Sequence, residues 1–376
     1  MKPISYILFT FFSLLIFSCS TGAPNDIIEQ IDPDITINPD AEIEELYFPL
    51  VSSTSWESAS LEQLNWQEDK TEELYDYLEE KNSKGFIVLY NGRIIIEEYF
   101  NGHSQNDLWL WNSASKSFTG SIVGIAQGEG LLDIDDKTSD YLGDSWSSLT
   151  TEQQDLITVK NHLSMNTGLD DNIDQFAAWT CTRPNCLEYM TDAGDRWAYH
   201  QGAYSLLFDI VEEAVSMDFE AYGKTKIEDK IGMNGSWVQG TFLNRYQSDA
   251  RSMARFGLLM MNKGVWNDET LLSIDYFDEM INTSQSINPS YGYLWWLNGK
   301  DSYIGTSSQE VFTGNLIPNA PSDMYSALGA DDQKIYVVPS ENLVIIRIGD
   351  SANETQLGPS SFDNELWGMI NEVIDN

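Results

Sequence analysis

Histidine and cysteine are scarce in this chain, three of each in 376 residues, and 20 Lys and Arg stand against 59 Asp and Glu. A formal net charge of -39 repels nucleic acid and anionic membrane surfaces, so nucleic acid is not expected as a partner. His103, His162 and His200 are far apart in the sequence, and the cysteines offer one close pair. A structural zinc site takes about four protein ligands and a catalytic one about three, so no metal is expected, and no cofactor either. No Gly-x-Ser-x-Gly turn occurs, which argues against an α/β-hydrolase with a Ser-His-Asp triad. No internal repeat is apparent.

The longest apolar run lies at the start, in "MKPISYILFTFFSLLIFSCS", and is too short to be a good membrane span. With Lys2 ahead of it and small residues after it, residues 1–18 read as an export signal. The stretch "LLIFSC" resembles a bacterial lipobox, which implies cleavage before Cys19 and a lipid on its sulfur; an ordinary signal peptide with an incidental cysteine is the other reading. Residues 19–46, rich in Asp, Glu, Pro and Asn, suit a solvated tether between such an anchor and the domain. The expected location is therefore outside the cytoplasm, held to a membrane only through that anchor, on the periplasmic or cell-surface face of a bacterium. Export also favours a disulfide between Cys181 and Cys186 in "WTCTRPNCLEY". Closing so small a loop contributes roughly 2 kcal/mol.

What is present is ample core material: 42% hydrophobic and 12% aromatic residues, enough for one large domain or two packed ones. A helix is expected over about 58–82, then two strands in "GFIVLYNGRIIIEEYF" around the Asn91-Gly92 turn. Residues 116 to about 240 read as mainly helical. Strand signals return in "YGYLWWLNG", "KIYVVP" and "LVIIRIG", and a last helix carries Phe362, Leu366, Met369, Ile370 and Val373 at helical spacing. The expected fold is α+β: an antiparallel sheet flanked by helices with an inserted helical block. Its domain would span 47–376, the sheet-bearing part at about 47–115 and 241–376, the helical part at about 116–240.

The segment "WNSASKSFTGSIVGIAQGEGLLD" holds the candidate chemistry. On a helix starting near Ser113, Lys116 falls on the same face, with Cβ atoms about 5–6 Å apart, within proton-transfer reach. The helix dipole favours charge on the serine oxygen, and partial burial would push the lysine toward its neutral, basic form. About one Ser-x-x-Lys is expected by chance in such a chain, so Ser113 can equally be a helix cap. Context separates the two. The runs "SASKSFTGSIVGIAQGEGLLDIDDKTSDYL", "LITVKNHLSMNTGLDD" and "ARSMARFGLLMMNKG" resemble the serine β-lactamase and penicillin-binding-protein superfamily, in the branch similar to class C β-lactamases and related esterases.

That resemblance, covering most of the chain from about residue 58, implies a site in the cleft between the sheet and the helical part, with Ser113 as nucleophile and Lys116 as base. It places the family's tyrosine at Tyr199 in "WAYHQGAYSL", with Gln201 where asparagine is usual and His200 as a variable rim residue. The family's third motif falls by spacing on Ala327, Leu328 and Gly329, of which only the glycine is retained. Gln201, Ala327, Leu328 and Gly329 are the implied substrate-binding positions, and the amides of Ser113 and Ala330 the implied oxyanion hole. The function implied is acyl transfer on an ester, amide or lactam of a small-molecule or peptide substrate. A catalytically impaired, lipid-anchored binding protein of the same fold is the alternative, and a monomer is expected.

Overall fold

A computed structural model describes residues 35–36, 43, 45–172, 181–240, 244–352 and 359–374. Cys19 and residues 1–18, expected to be an export signal, lie outside them. A sheet of eight strands forms the base: β1 (Ile35–Thr36), β2 (Glu57–Ser58), β3 (Ser83–Tyr90), β4 (Arg93–Tyr99), β5 (Trp296–Leu297), β6 (Tyr325–Gly329), β7 (Gln333–Val338) and β8 (Leu343–Gly349). Their order is β1-β2-β4-β3-β8-β7-β6-β5; the first two pairings are parallel and all others antiparallel. Both ends of the chain therefore build one sheet. The β3–β4 turn is the expected one: Asn91 and Gly92 both take positive φ, 46° and 78°, which matches the twist of a two-residue hairpin.

Two expectations shift. The short strand at Ile35–Thr36 lies in the stretch expected to be a solvated tether, and Ile43 beyond it is buried, so part of that stretch belongs to the fold. The helix expected over 58–82 is α1, only Thr71–Glu80, because Asn65 takes a left-handed conformation that closes an earlier single turn.

Helices cover both faces. On one, α4 (Ala250–Met261) packs on β8, β7 and β3; on the other lies the last helix, α5 (Ser361–Ile374), beside α1. Between the sheet and the helical part runs α2 (Ser115–Gly128), in contact with α3 (Gln201–Val215) and β6. Residues 115–126 of α2 are all buried, so this helix is enclosed on every side. Its start is where the site forms.

Candidate active site

The turn before α2 is held from below by an aromatic cluster. Trp111 is fully buried against Tyr246, Phe256 and Phe118, ring centroids 5.0, 5.8 and 6.0 Å away, and its indole donates to Ser248 Oγ at 2.9 Å. Asn112 then turns left-handed, φ 49°, a conformation asparagine tolerates better than most residues. Ser113 follows in a single 3-10 turn, and α2 starts at Ser115, whose Oγ accepts from the Tyr246 amide at 2.9 Å. No side chain caps α2. Ser113 Oγ instead receives Lys116 Nζ at 3.2 Å, so the serine faces the lysine rather than the orphan amides of the helix.

Lys116 is 3% exposed. Burial alone pushes its ammonium down to about 7, and no acidic side chain is paired with it among the described residues. The rings of Tyr204 and Tyr199, with centroids 4.4 and 5.0 Å from Nζ, provide the nearest compensation for its charge. Tyr199 shares a hydrogen bond with Ser113; burial raises its phenol well above the usual range, and that bond offsets only part of the rise. Its ring stacks on Trp296 at 6.1 Å and meets Tyr291 edge-on at 6.4 Å. Ser113, Lys116 and Tyr199 thus meet in one place.

His200 departs from its expected place on the rim. It is 2% exposed, its Nδ1 accepts from the Ala203 amide at 3.0 Å, and its Nε2 lies 3.1 Å from the Asp170 carbonyl. It caps α3, because the first turn of that helix leaves its amides without partners. Gln201 opens α3 and is also buried, and its Oε1 has no hydrogen-bond partner among the described residues.

The opposite wall is the end of β6. A Cβ on Gly329 would stand 2.2 Å from the Trp111 carbonyl oxygen and 3.1 Å from the Ala114 amide, so only glycine lets the strand lie against the Ser113 turn. Asn112 Nδ2 ties the two together, donating to the Ala330 carbonyl at 2.8 Å. Beyond Ala330, Asp331 and Asp332 are both left-handed, φ 59° and 60°, each costing about 1–3 kcal/mol that surrounding contacts must offset. Strand alternation corrects the expectation for Leu328. It lies opposite Lys334, whose side chain reaches Asp363 of α5, so the Leu328 side chain faces the far side of the sheet from Ser113. Ala327, opposite Ile335 on the α4 side, shares the face of Gly329 and brings only a methyl group.

Cys181 and Cys186 are joined in a disulfide with Cα atoms 5.9 Å apart. The loop abuts the start of α3: a Cβ on Gly202 would stand 2.6 Å from the Cys181 carbonyl oxygen. Sequence reasoning missed Asn112, Tyr204, Tyr291 and Trp296. Tyr204 carried a signal, five residues after Tyr199 on an apolar helix, whereas Tyr291 and Trp296 lay in a run read only as strand. Among the described residues no group of three or more His, Cys, Asp or Glu is arranged to hold a metal, and no helix is long and apolar enough to cross a membrane.

The Beta-lactamase family model matches residues 78–360. An uncharacterized protein of Alkalihalophilus pseudofirmus is 25% identical over 323 residues, 75% of this chain and 87% of its own. A 6-aminohexanoate-dimer hydrolase of Paenarthrobacter ureafaciens is 23% identical over 312 residues, 73% of this chain and 74% of its own. Among solved structures, a Bacillus anthracis protein provisionally named 6-aminohexanoate-dimer hydrolase superposes with a TM-score of 0.62 at 19% identity, covering 92% of this chain and 88% of that one. Such low identity speaks for the fold alone; the family match spans three quarters of the chain, from α1 to the start of α5, and on that extent the chain belongs to the beta-lactamase family.

Proposed function

We propose that the protein is a serine hydrolase that works through an acyl-enzyme on an ester, amide or lactam carbonyl. The observation that carries this is Lys116 Nζ at 3.2 Å from Ser113 Oγ, with the lysine buried and its proton loosened to about 7. A neutral Nζ accepts the Oγ–H proton as Oγ bonds to the carbonyl carbon. The negative charge then on the carbonyl oxygen is met by the Ser113 and Ala330 amides. Tyr199, held as the phenol by its burial, gives its proton to the leaving alcohol or amine and regains one from the Lys116 ammonium. Water then attacks the acyl-serine while Lys116 takes its proton, and Lys116 returns that proton to Ser113 Oγ as the acid leaves.

Labelling with a fluorophosphonate tests the reading. Wild type should be modified on Ser113; Ser113→Ala should abolish the adduct, and Lys116→Ala should slow it on the order of 10³-fold. Wild type that remains unlabelled, and inert toward esters and lactams, favours the impaired binding protein, for which Gln201 and Ala327 are the motivating departures from the family motifs.

The setting belongs to the same proposal. Cys19 would carry the lipid anchor and the protein would act as a monomer outside the cytoplasm. Mass spectrometry of the membrane-extracted protein should find diacylglyceryl on Cys19, and an unmodified Cys19 in a product cleaved elsewhere rejects the anchor.

A further inference from the structure

Behind the Ala330 amide, on the sheet face away from Ser113, lies a buried charge cluster that the chemistry above does not use. Lys334 Nζ is 2.9 Å from Asp363 Oδ2 and 3.2 Å from Asp332 Oδ1, and all three side chains are at most 6% exposed. Asp332 Oδ2 accepts from the Ala352 amide at 3.0 Å and Oδ1 from Ser360 Oγ at 3.2 Å. Tyr336 OH donates to Asp363 Oδ1 at 2.5 Å. Arg347 donates to the Asp331 and Asp332 carbonyls at 2.8 and 3.1 Å.

These bonds converge on the two residues whose backbone is left-handed, and those residues directly follow Ala330. Without them, Asp331 and Asp332 would relax toward ordinary φ, and the peptide carrying the Ala330 N–H would rotate with them. On the cleft side two more bonds fix the same turn: Asn112 Nδ2 to the Ala330 carbonyl at 2.8 Å and Gln333 Nε2 to the Asp331 carbonyl at 2.8 Å. The turn is therefore clamped from both faces of the sheet.

We propose that Asp332 is a positioning residue, which through its ion pair with Lys334 holds the strained 330–332 turn and so aims the Ala330 amide at the oxyanion. This rests on the hydrolase reading. Its acidity agrees: burial would raise the Asp332 carboxyl, but Lys334, the Ala352 amide and Arg347 together hold it below the usual range, so it stays charged. The effect belongs to the transition state, where charge sits on the oxyanion, rather than to ground-state binding.

The test is the kinetics of Ser113 labelling by a fluorophosphonate, resolved into a limiting rate and a half-saturating concentration, on the full mature chain. Asp332→Asn keeps the size and a side chain that accepts left-handed backbone, but removes the charge facing Lys334. The limiting rate should fall tenfold or more with the half-saturating concentration within about threefold, since loss of one oxyanion donor costs about 10²–10³ and misalignment part of that. Ser360→Ala, which removes the hydroxyl shared between Asp332 Oδ1 and Asp363 Oδ2 and leaves the ion pairs, should give a smaller fall of the same kind and covers the case in which Asp332→Asn does not fold, the Asp363 side being controlled by Tyr336→Phe. Tyr336→Phe, which loosens the cluster on its Asp363 side, should lower the melting temperature and leave the limiting rate as in wild type. Folded Asp332→Asn or Ser360→Ala with an unchanged rate overturns the assignment, as does a Tyr336→Phe rate that falls as far as theirs. Wild type that is not labelled at Ser113 overturns the hydrolase reading itself, and this inference with it.

Discussion

Lys116 is a buried cation whose nearest partners are a serine hydroxyl and two tyrosine rings, and that environment favours its neutral form. Its proton leaves near pH 7 instead of the ordinary 10.5, so acylation should rise as pH passes upward through about 7 and then level off. A pH series of Ser113 labelling rates checks this; a rate still climbing steeply above pH 9 would place the base elsewhere. The same residue weakens the fold. Between about 7 and 10.5 the unfolded chain binds the Lys116 proton and the folded one does not, so this group makes stability increase with pH across that window, and its full penalty is felt below it. Lys116→Met, similar in shape and uncharged, should therefore raise the melting temperature at pH 6 to 7 while nearly eliminating labelling. Melting curves and labelling on one preparation give both outcomes, and a variant that melts lower than wild type contradicts the account.

At the scale of elements, the site depends on how closely β6 approaches the start of α2, and Gly329 sets that distance. Gly329→Ala puts a methyl group into the Trp111 carbonyl, both of them backbone-fixed, so the strand must retreat from the turn. A cost of about 1–3 kcal/mol in stability is expected, with a larger proportional loss of Ser113 labelling than of fold, read by denaturant melts and labelling rates. Unaltered labelling would mean that the approach is not what assembles the site. This contact also marks what the sequence could reveal. Ser113, Lys116 and Tyr199 were legible because a helical spacing and the resemblance of short runs bring them together. The hairpin was legible because Asn91-Gly92 has a local mechanism. Asn112, Trp296 and the Asp331–Asp332 turn were not, since their roles come from pairings between distant parts of the chain or from a backbone conformation no side chain announces. Leu328 was misread for a related reason: the motif's position along the chain was found, but which face each residue takes is fixed by its partner Lys334 across the strand pair.

Charge across the whole molecule bears on the substrate. Substrates such as penicillins and D-amino-acid peptides carry a carboxylate, and binding it without charge-assisted bonds loses roughly 1.5–3 kcal/mol per missing bond, one or two orders of magnitude in catalytic efficiency. On the site's side of β6, Ala327 and Gly329 supply neither a cation nor a hydroxyl. Beside Ser113, the Asn112 amide takes a hydrogen bond from Arg245 at 3.2 Å and gives one to Asp331 Oδ2 at 3.2 Å, so Arg245 at this edge comes with a carboxylate of opposite sign. Lys116 is neutral over the pH range in which it would act as base, and a net charge of -39 repels an approaching anion at long range. Each of these works against an anionic substrate and none against an uncharged one. Neutral short-chain esters or amides should therefore be turned over better than benzylpenicillin or a D-alanyl-D-alanine peptide. Raising the ionic strength should narrow the gap by screening the long-range part, leaving the part due to the missing cation. Initial rates for an ester and a penicillin on one preparation, at low and high salt, measure both contributions, and a penicillin preferred tenfold or more in kcat/KM would overturn the prediction.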